Sequence, residues 1–123
     1  MSNDETVTQL SFEIGIFRNE PRVEREVDVS LLRGKLSAGE AMEYVLRERP
    51  TDVQQQNASV RVTTAGRLRD AGFGVIHTPG RIATSGHISV VWPATMDAEH
   101  QQAPWPADVV DDFDECFTRN GGL

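Results

Sequence analysis

Apolar and polar residues alternate along several short stretches of the chain. From Ser11 to Arg18, the side chains of Phe12, Ile14 and Ile16 fall on one face. This period of two marks a strand with one wet side. Asn19-Glu20-Pro21 interrupts it, and a second alternating run carries Val23, Val27, Val29 and Leu31. The two runs predict a hairpin closed by a loop of several residues. Residues 1–9 are polar and predict a flexible tail.

Beyond the Arg33-Gly34-Lys35 turn the period changes. Ser37-Ala38-Gly39-Glu40 matches a capping box, in which Ser and Glu each satisfy a backbone N–H at a helix start. Ala41, Tyr44, Val45 and Leu46 supply an apolar stripe, so the spacing predicts a helix over 38–49. Pro50 stops it, because proline disfavours helical geometry in the residue before it. Residues 51–57 carry no apolar period and predict a loop.

Ser59-Val60-Arg61-Val62 predicts a short strand, and Thr63 or Thr64 caps a short helix through Asp70. Gly72 stands where a left-handed C-terminal residue is wanted. Phe73–His77 and His87–Trp92 predict two further strands, separated by the turn Thr78-Pro79-Gly80. Residues 94–104 form a polar linker. Pro106 suits the first turn of a last helix, on which Val109, Val110, Phe113 and Phe117 recur at helical spacing beside Cys116.

The elements add up to one α+β domain over residues 1–123. Its sheet is mainly antiparallel with about five strands, and two longer helices and one short helix pack on one face. That layering buries both apolar surfaces at once. Hydrophobic residues at 38% and charged residues at 25% of the 123 positions are an ordinary globular mixture.

Charge narrows the partners. The net charge is -7, from 19 acidic against 12 basic residues. Binding a duplex needs clustered Lys and Arg, so this balance argues against nucleic acid. The single cysteine, Cys116, excludes an intrachain disulfide. The opening residues are polar and acidic, unlike a signal peptide, and no apolar run approaches the ~20 residues of a membrane span. These features predict a cytoplasmic protein.

Four constellations could carry chemistry. If the strands ending at His77 and starting at His87 are antiparallel neighbours, both histidines sit near one edge, with Arg81, Thr84 and Ser85 between them. His77, Arg81, Ser85 and His87 then suit a phosphorylated or nucleotide ligand, or general acid–base work. The rival reading is polar residues closing two strands. Second, Asp108, Asp111, Asp112 and Glu115 form an acidic helix face. This can bind a cation or a basic partner, or simply be a solvated surface that suits the helix dipole. Third, Cys116 lies beside an apolar stripe, where a cysteine packs as a small hydrophobe. Fourth, Trp92 and Trp105 are either core residues or interface anchors. No Gly-rich phosphate loop, zinc spacing or serine-hydrolase elbow occurs, so no metal or cofactor is called for.

The run from Ser37 onward has a recognisable order. A capped helix leads to Ser59-Val60-Arg61-Val62-Thr63-Thr64-Ala65-Gly66-Arg67-Leu68. Gly72-Phe73-Gly74-Val75, a Thr-Pro turn and Gly86-His87-Ile88-Ser89-Val90 follow. It resembles a loose group of small uncharacterised bacterial proteins that sit beside toxin–antitoxin or phage-defence genes. The resemblance covers about residues 37–92 and transfers no catalytic residues. It implies a bacterial accessory protein. The expected function is therefore a non-catalytic, antitoxin-like protein binder using Trp92, Trp105, Asp108, Asp112 and Glu115. Its alternatives are a small enzyme or ligand binder at the histidine edge, and a homodimer joined through an open sheet edge.

Overall fold

A computed structural model describes residues 2–11, 14, 17, 29–46, 51–78, 86–95 and 105–118. Among the described residues nine elements follow one another: β1 (Thr6–Ser11), β2 (Val29–Arg33), α1 (Ala38–Leu46), α2 (Asp52–Asn57), β3 (Ser59–Thr64), α3 (Ala65–Asp70), β4 (Gly74–His77), β5 (His87–Val91) and α4 (Ala107–Thr118). The strands form one antiparallel five-stranded sheet in the order β3-β1-β2-β5-β4, so the fold is α+β.

Register fixes which side chains share a face. Val7 pairs with Thr63, Leu31 with Ile88, and Val90 with both Val29 and Val75. On this face Val7, Val29, Leu31, Ile88 and Val90 pack with Leu68 and Phe73, and with Trp105, Val109, Phe113 and Phe117 at α4. Phe113 is the hub. Its ring centroid lies 5.6 Å from Phe73, 5.4 Å from Trp105 and 5.2 Å from Phe117, each edge-on. That geometry suits aromatic quadrupoles.

The opposite face is also closed. Thr8, Leu32, His87, Ser89 and Val91 point that way and are all buried. The chain leaving β2 passes over it: Thr8 Oγ1 donates to Gly34 O at 2.6 Å and accepts from Leu36 N at 3.1 Å. Ala41 and Met42 of α1 are buried beside β1.

The N-terminal strand departs from the expected pattern. Residues 6–9 of β1 are strand, where the sequence predicts tail, and Ile14 lies in a turn, 68% exposed, where it predicts strand. The reason is position. β1 lies inside the sheet with both faces covered, so its buried set is Val7, Thr8, Gln9 and Ser11, and no apolar alternation marks it. Phe12, Ile16, Val23 and Val27 lie outside the described residues.

Two helices also differ. Residues 52–57 are helical, although none of them is buried. Thr51 and Gln54 form a reciprocal capping box, with Gln54 N–Thr51 Oγ1 at 3.2 Å and Thr51 N–Gln54 Oε1 at 2.8 Å. In α1 the buried side is Ala41 and Met42, while Tyr44, expected on the stripe, is half exposed. The expected Ser37–Glu40 box is present, with both bonds at 3.2 Å. Gly72 has φ +97, and Phe73 N–H reaches back to Leu68 O at 3.0 Å to close α3.

Candidate functional site

The histidine edge does not assemble on one side of the sheet. His77 pairs with Ile88, and His87 pairs with Leu32. His87 and Ile88 are consecutive, so their side chains leave opposite faces. His77 therefore shares a face with Ile88, and His87 lies on the other. His77 is exposed, whereas His87 is 1% exposed. The imidazole is held inside: His87 Nδ1 and Thr78 Oγ1 share a 2.7 Å hydrogen bond, and Thr78 Oγ1 is 2.8 Å from Ser89 Oγ. This is a part-buried polar network that ties β5 to the end of β4. Arg81 and Ser85 lie outside the described residues.

The tryptophans separate as well. Trp105, a candidate partner anchor, is 4% exposed, with its ring 5.1 Å from Phe73. It belongs to the core. Trp92 is half-buried and packs against the same cluster.

Two of the acidic residues of α4, Asp112 and Glu115, do share a site. Asp108, Asp111, Asp112 and Glu115 are exposed, while Val109, Phe113, Cys116 and Phe117 face inward. Asp112 and Glu115 stand on one wall of a cleft of about 660 Å³, and Arg67, Asp70 and Ala71 of the α3 segment form the other. Cys116 completes the lining. Among the described lining residues three carboxylates stand against one guanidinium, an excess of negative charge. Cys116 is 5% exposed, and its Sγ lies between the walls, 3.3 Å from Asp112 O and 3.6 Å from Arg67 O, with one S–H to donate to either.

Asp114, one residue away, turns to the sheet. It pairs with Arg61 of β3 at 2.9 Å. Sequence spacing placed Asp112 and Glu115 on one helix face but gave no hint of Arg67 and Asp70. They join only because α3 packs beside α4, a contact between segments roughly 45 residues apart. Among the described residues no group of three or more His, Cys, Asp or Glu side chains is placed to hold a metal ion. No described helix is long and apolar enough to cross a membrane.

Comparison with protein families, curated proteins and solved structures found no match to this chain.

Proposed function

We propose that the chain is a non-catalytic protein-binding module, an antitoxin-like or accessory component of a bacterial conflict system, acting in the cytoplasm. The observation that carries the reading is the convergence of Asp70, Asp112 and Glu115 on one open cleft, continued along α4 by exposed Asp108 and Asp111. A concave surface with surplus carboxylates complements a segment bearing Arg or Lys. Such complementarity steers encounter and sets register. The resemblance of residues 37–92 to proteins encoded beside toxin or defence genes supplies the biological setting. The opposed faces of His77 and His87 count against a shared histidine cleft and so favour the binding reading over the enzymatic one.

The test is binding to purified products of the genes flanking this one, by titration calorimetry at low and high salt. A flanking product should bind, weaken with salt, and lose roughly tenfold or more in affinity to an Asp112→Lys/Glu115→Lys variant. Absence of binding by every flanking product, or binding indifferent to the charge reversal, overturns the proposal.

A further inference from the structure

One wall of the cleft is a helix with little support of its own. α3 has six residues, of which Ala65 and Leu68 are buried. A helix this short does not persist alone, since a single turn fixes several dihedrals for one hydrogen bond. Its first N–H groups have no partners within the helix. Here they are met largely from outside. Arg67 N–H goes to the capping Thr64 Oγ1 at 3.3 Å. The other two go to the segment before β1: Ala65 N–H to Glu5 O and Gly66 N–H to Asn3 O, both 2.9 Å.

That segment is shaped to receive them. Glu5 N–H donates to Ser2 O at 3.1 Å and Asp4 N–H to Ser2 Oγ at 3.3 Å, which folds Ser2–Glu5 into a turn. Asn3 Oδ1 accepts from Arg69 Nη1 at 2.7 Å, so the turn grips α3 by a side chain as well. Glu5 is tied in its turn to Arg33 at the end of β2. Gly66 makes the approach possible. A Cβ there would lie 2.9 Å from Asn3 O and 3.0 Å from Asn3 Cβ. Backbone on that side leaves no flexible group to give way.

We infer that Ser2–Glu5 is a latch that holds α3 in place and thereby controls access to the floor of the α3–α4 cleft. With the latch engaged, Arg67 O sits over Cys116 Sγ and the thiol is shielded. With it released, α3 keeps its Thr64 cap, the buried Ala65 and Leu68 and the Phe73 closure but loses the partners of its Ala65 and Gly66 N–H groups, and the wall carrying Arg67 and Asp70 loosens as a local unit. Whatever occupies the cleft would then meet a different wall in the two states. The motion is the chain's own and needs no partner, so it is independent of what binds the cleft.

The sequence holds one cysteine, which makes Cys116 the natural reporter. The experiment is the rate of Cys116 alkylation by iodoacetamide in native buffer, for the parent chain, Gly66→Ala, Asn3→Ala and Arg69→Ala. A denaturant melt of each gives its globally unfolded fraction. Alanine is the better helix former, so with no latch Gly66→Ala should slow the reaction. With the latch, Gly66→Ala accelerates alkylation about tenfold or more beyond the change in unfolded fraction. Asn3→Ala and Arg69→Ala each accelerate it a few-fold. Rates that are unchanged, slowed, or explained by global unfolding alone overturn the inference. If Gly66→Ala fails to fold, the two side-chain variants decide it by the same criterion.

Discussion

Arg61 of β3 and Asp114 of α4 form an ion pair at 2.9 Å beneath three aromatic rings. The guanidinium carbon lies 4.2 Å from the Phe117 centroid, 4.6 Å from Phe17 and 5.6 Å from Phe113. Gln9 Oε1 accepts from its Nε at 2.8 Å. Burial pulls the Arg61 pKa below its ordinary value, and the hydrogen bond and charge of Asp114 oppose that pull. Arg61 is thus a cation seated between sheet and helix, packing through its stem and ring contacts as much as through charge.

The two partners should therefore differ in cost. Asp114→Asn keeps the shape and loses one charge on a residue that water still reaches, so it should cost about 1 kcal/mol. Arg61→Ala removes the pair, the bond to Gln9 and three ring contacts, and should cost about 2–3 kcal/mol. Urea melts of both variants check the ranking. Equal costs would mean that the ion pair alone holds Arg61.

The two histidines should behave oppositely. His77→Ala touches an exposed strand end and should change stability by less than about 0.5 kcal/mol. His87→Ala opens a buried space and removes a partner from Thr78 Oγ1, which should cost about 2–4 kcal/mol. Thermal unfolding of both variants tests this. A neutral His87→Ala would show that the Thr78–His87–Ser89 network contributes nothing.

The sequence foretold those parts of the fold that advertise themselves locally. The Ser37–Glu40 box, the Thr64 cap, Gly72 and the α4 stripe each rest on residues within a few positions of one another, and each is present. Most of what it missed depends on distant packing. β1 is a strand because β2 and β3 flank it, not because Thr6-Val7-Thr8-Gln9 alternates. Tyr44 lies on the apolar count of α1 but not on the side that meets β1. α2 announces itself only through Thr51 and Gln54, a polar signal that a search for apolar periodicity passes over. The candidate site divides the same way. Asp108, Asp112 and Glu115 were legible as one face, while Arg67 and Asp70 came from a helix that spacing cannot pair with α4.

Gly74 should tolerate no side chain. A Cβ there would stand 2.7 Å from Val91 Cγ2 and 2.9 Å from Ala94 O. One neighbour is a buried strand residue and the other is backbone, so relief requires moving the β4–β5 pair apart. Gly74→Ala should cost about 1–3 kcal/mol, the usual range for overpacking. Denaturant midpoints for this variant and for the parent chain settle it. A variant as stable as the parent would mean that the turn at Ala94 yields without strain.

Trp105 should matter for its bulk and not for its nitrogen. Its ring packs on Phe73 and Phe113, yet among the described residues its buried Nε1 has no hydrogen-bond partner. A buried donor left unmade is a cost to the fold, so a ring lacking it gives part of that cost back. Trp105→Phe should fall within about 1 kcal/mol of the parent, the lost volume offsetting the removed donor, whereas Trp105→Ala should cost about 3–5 kcal/mol. A Trp105→Phe variant as damaged as Trp105→Ala would show that the indole N–H is needed after all.

Glu5 gives the fold a dependence on acid with a definite sign. The hydrogen bond from Arg33 lowers its pKa below the ordinary carboxylate value, more than desolvation raises it. A carboxylate whose pKa is depressed in the folded state binds its proton more readily once unfolded, so its contribution is complete above the unfolded value of about 4.3. That contribution is lost as pH falls through the lower, folded value. Glu5→Gln removes the charge at every pH. The stability gap between parent and variant should be constant from about pH 6 to 8 and should narrow below about pH 4, as the parent's carboxylate takes up its proton. Denaturant melts across that range measure the gap. Added salt should shrink it on the neutral side, because the pair is exposed and screened. A gap that persists unchanged to pH 2 would mean that Arg33 does not hold Glu5 in its charged form.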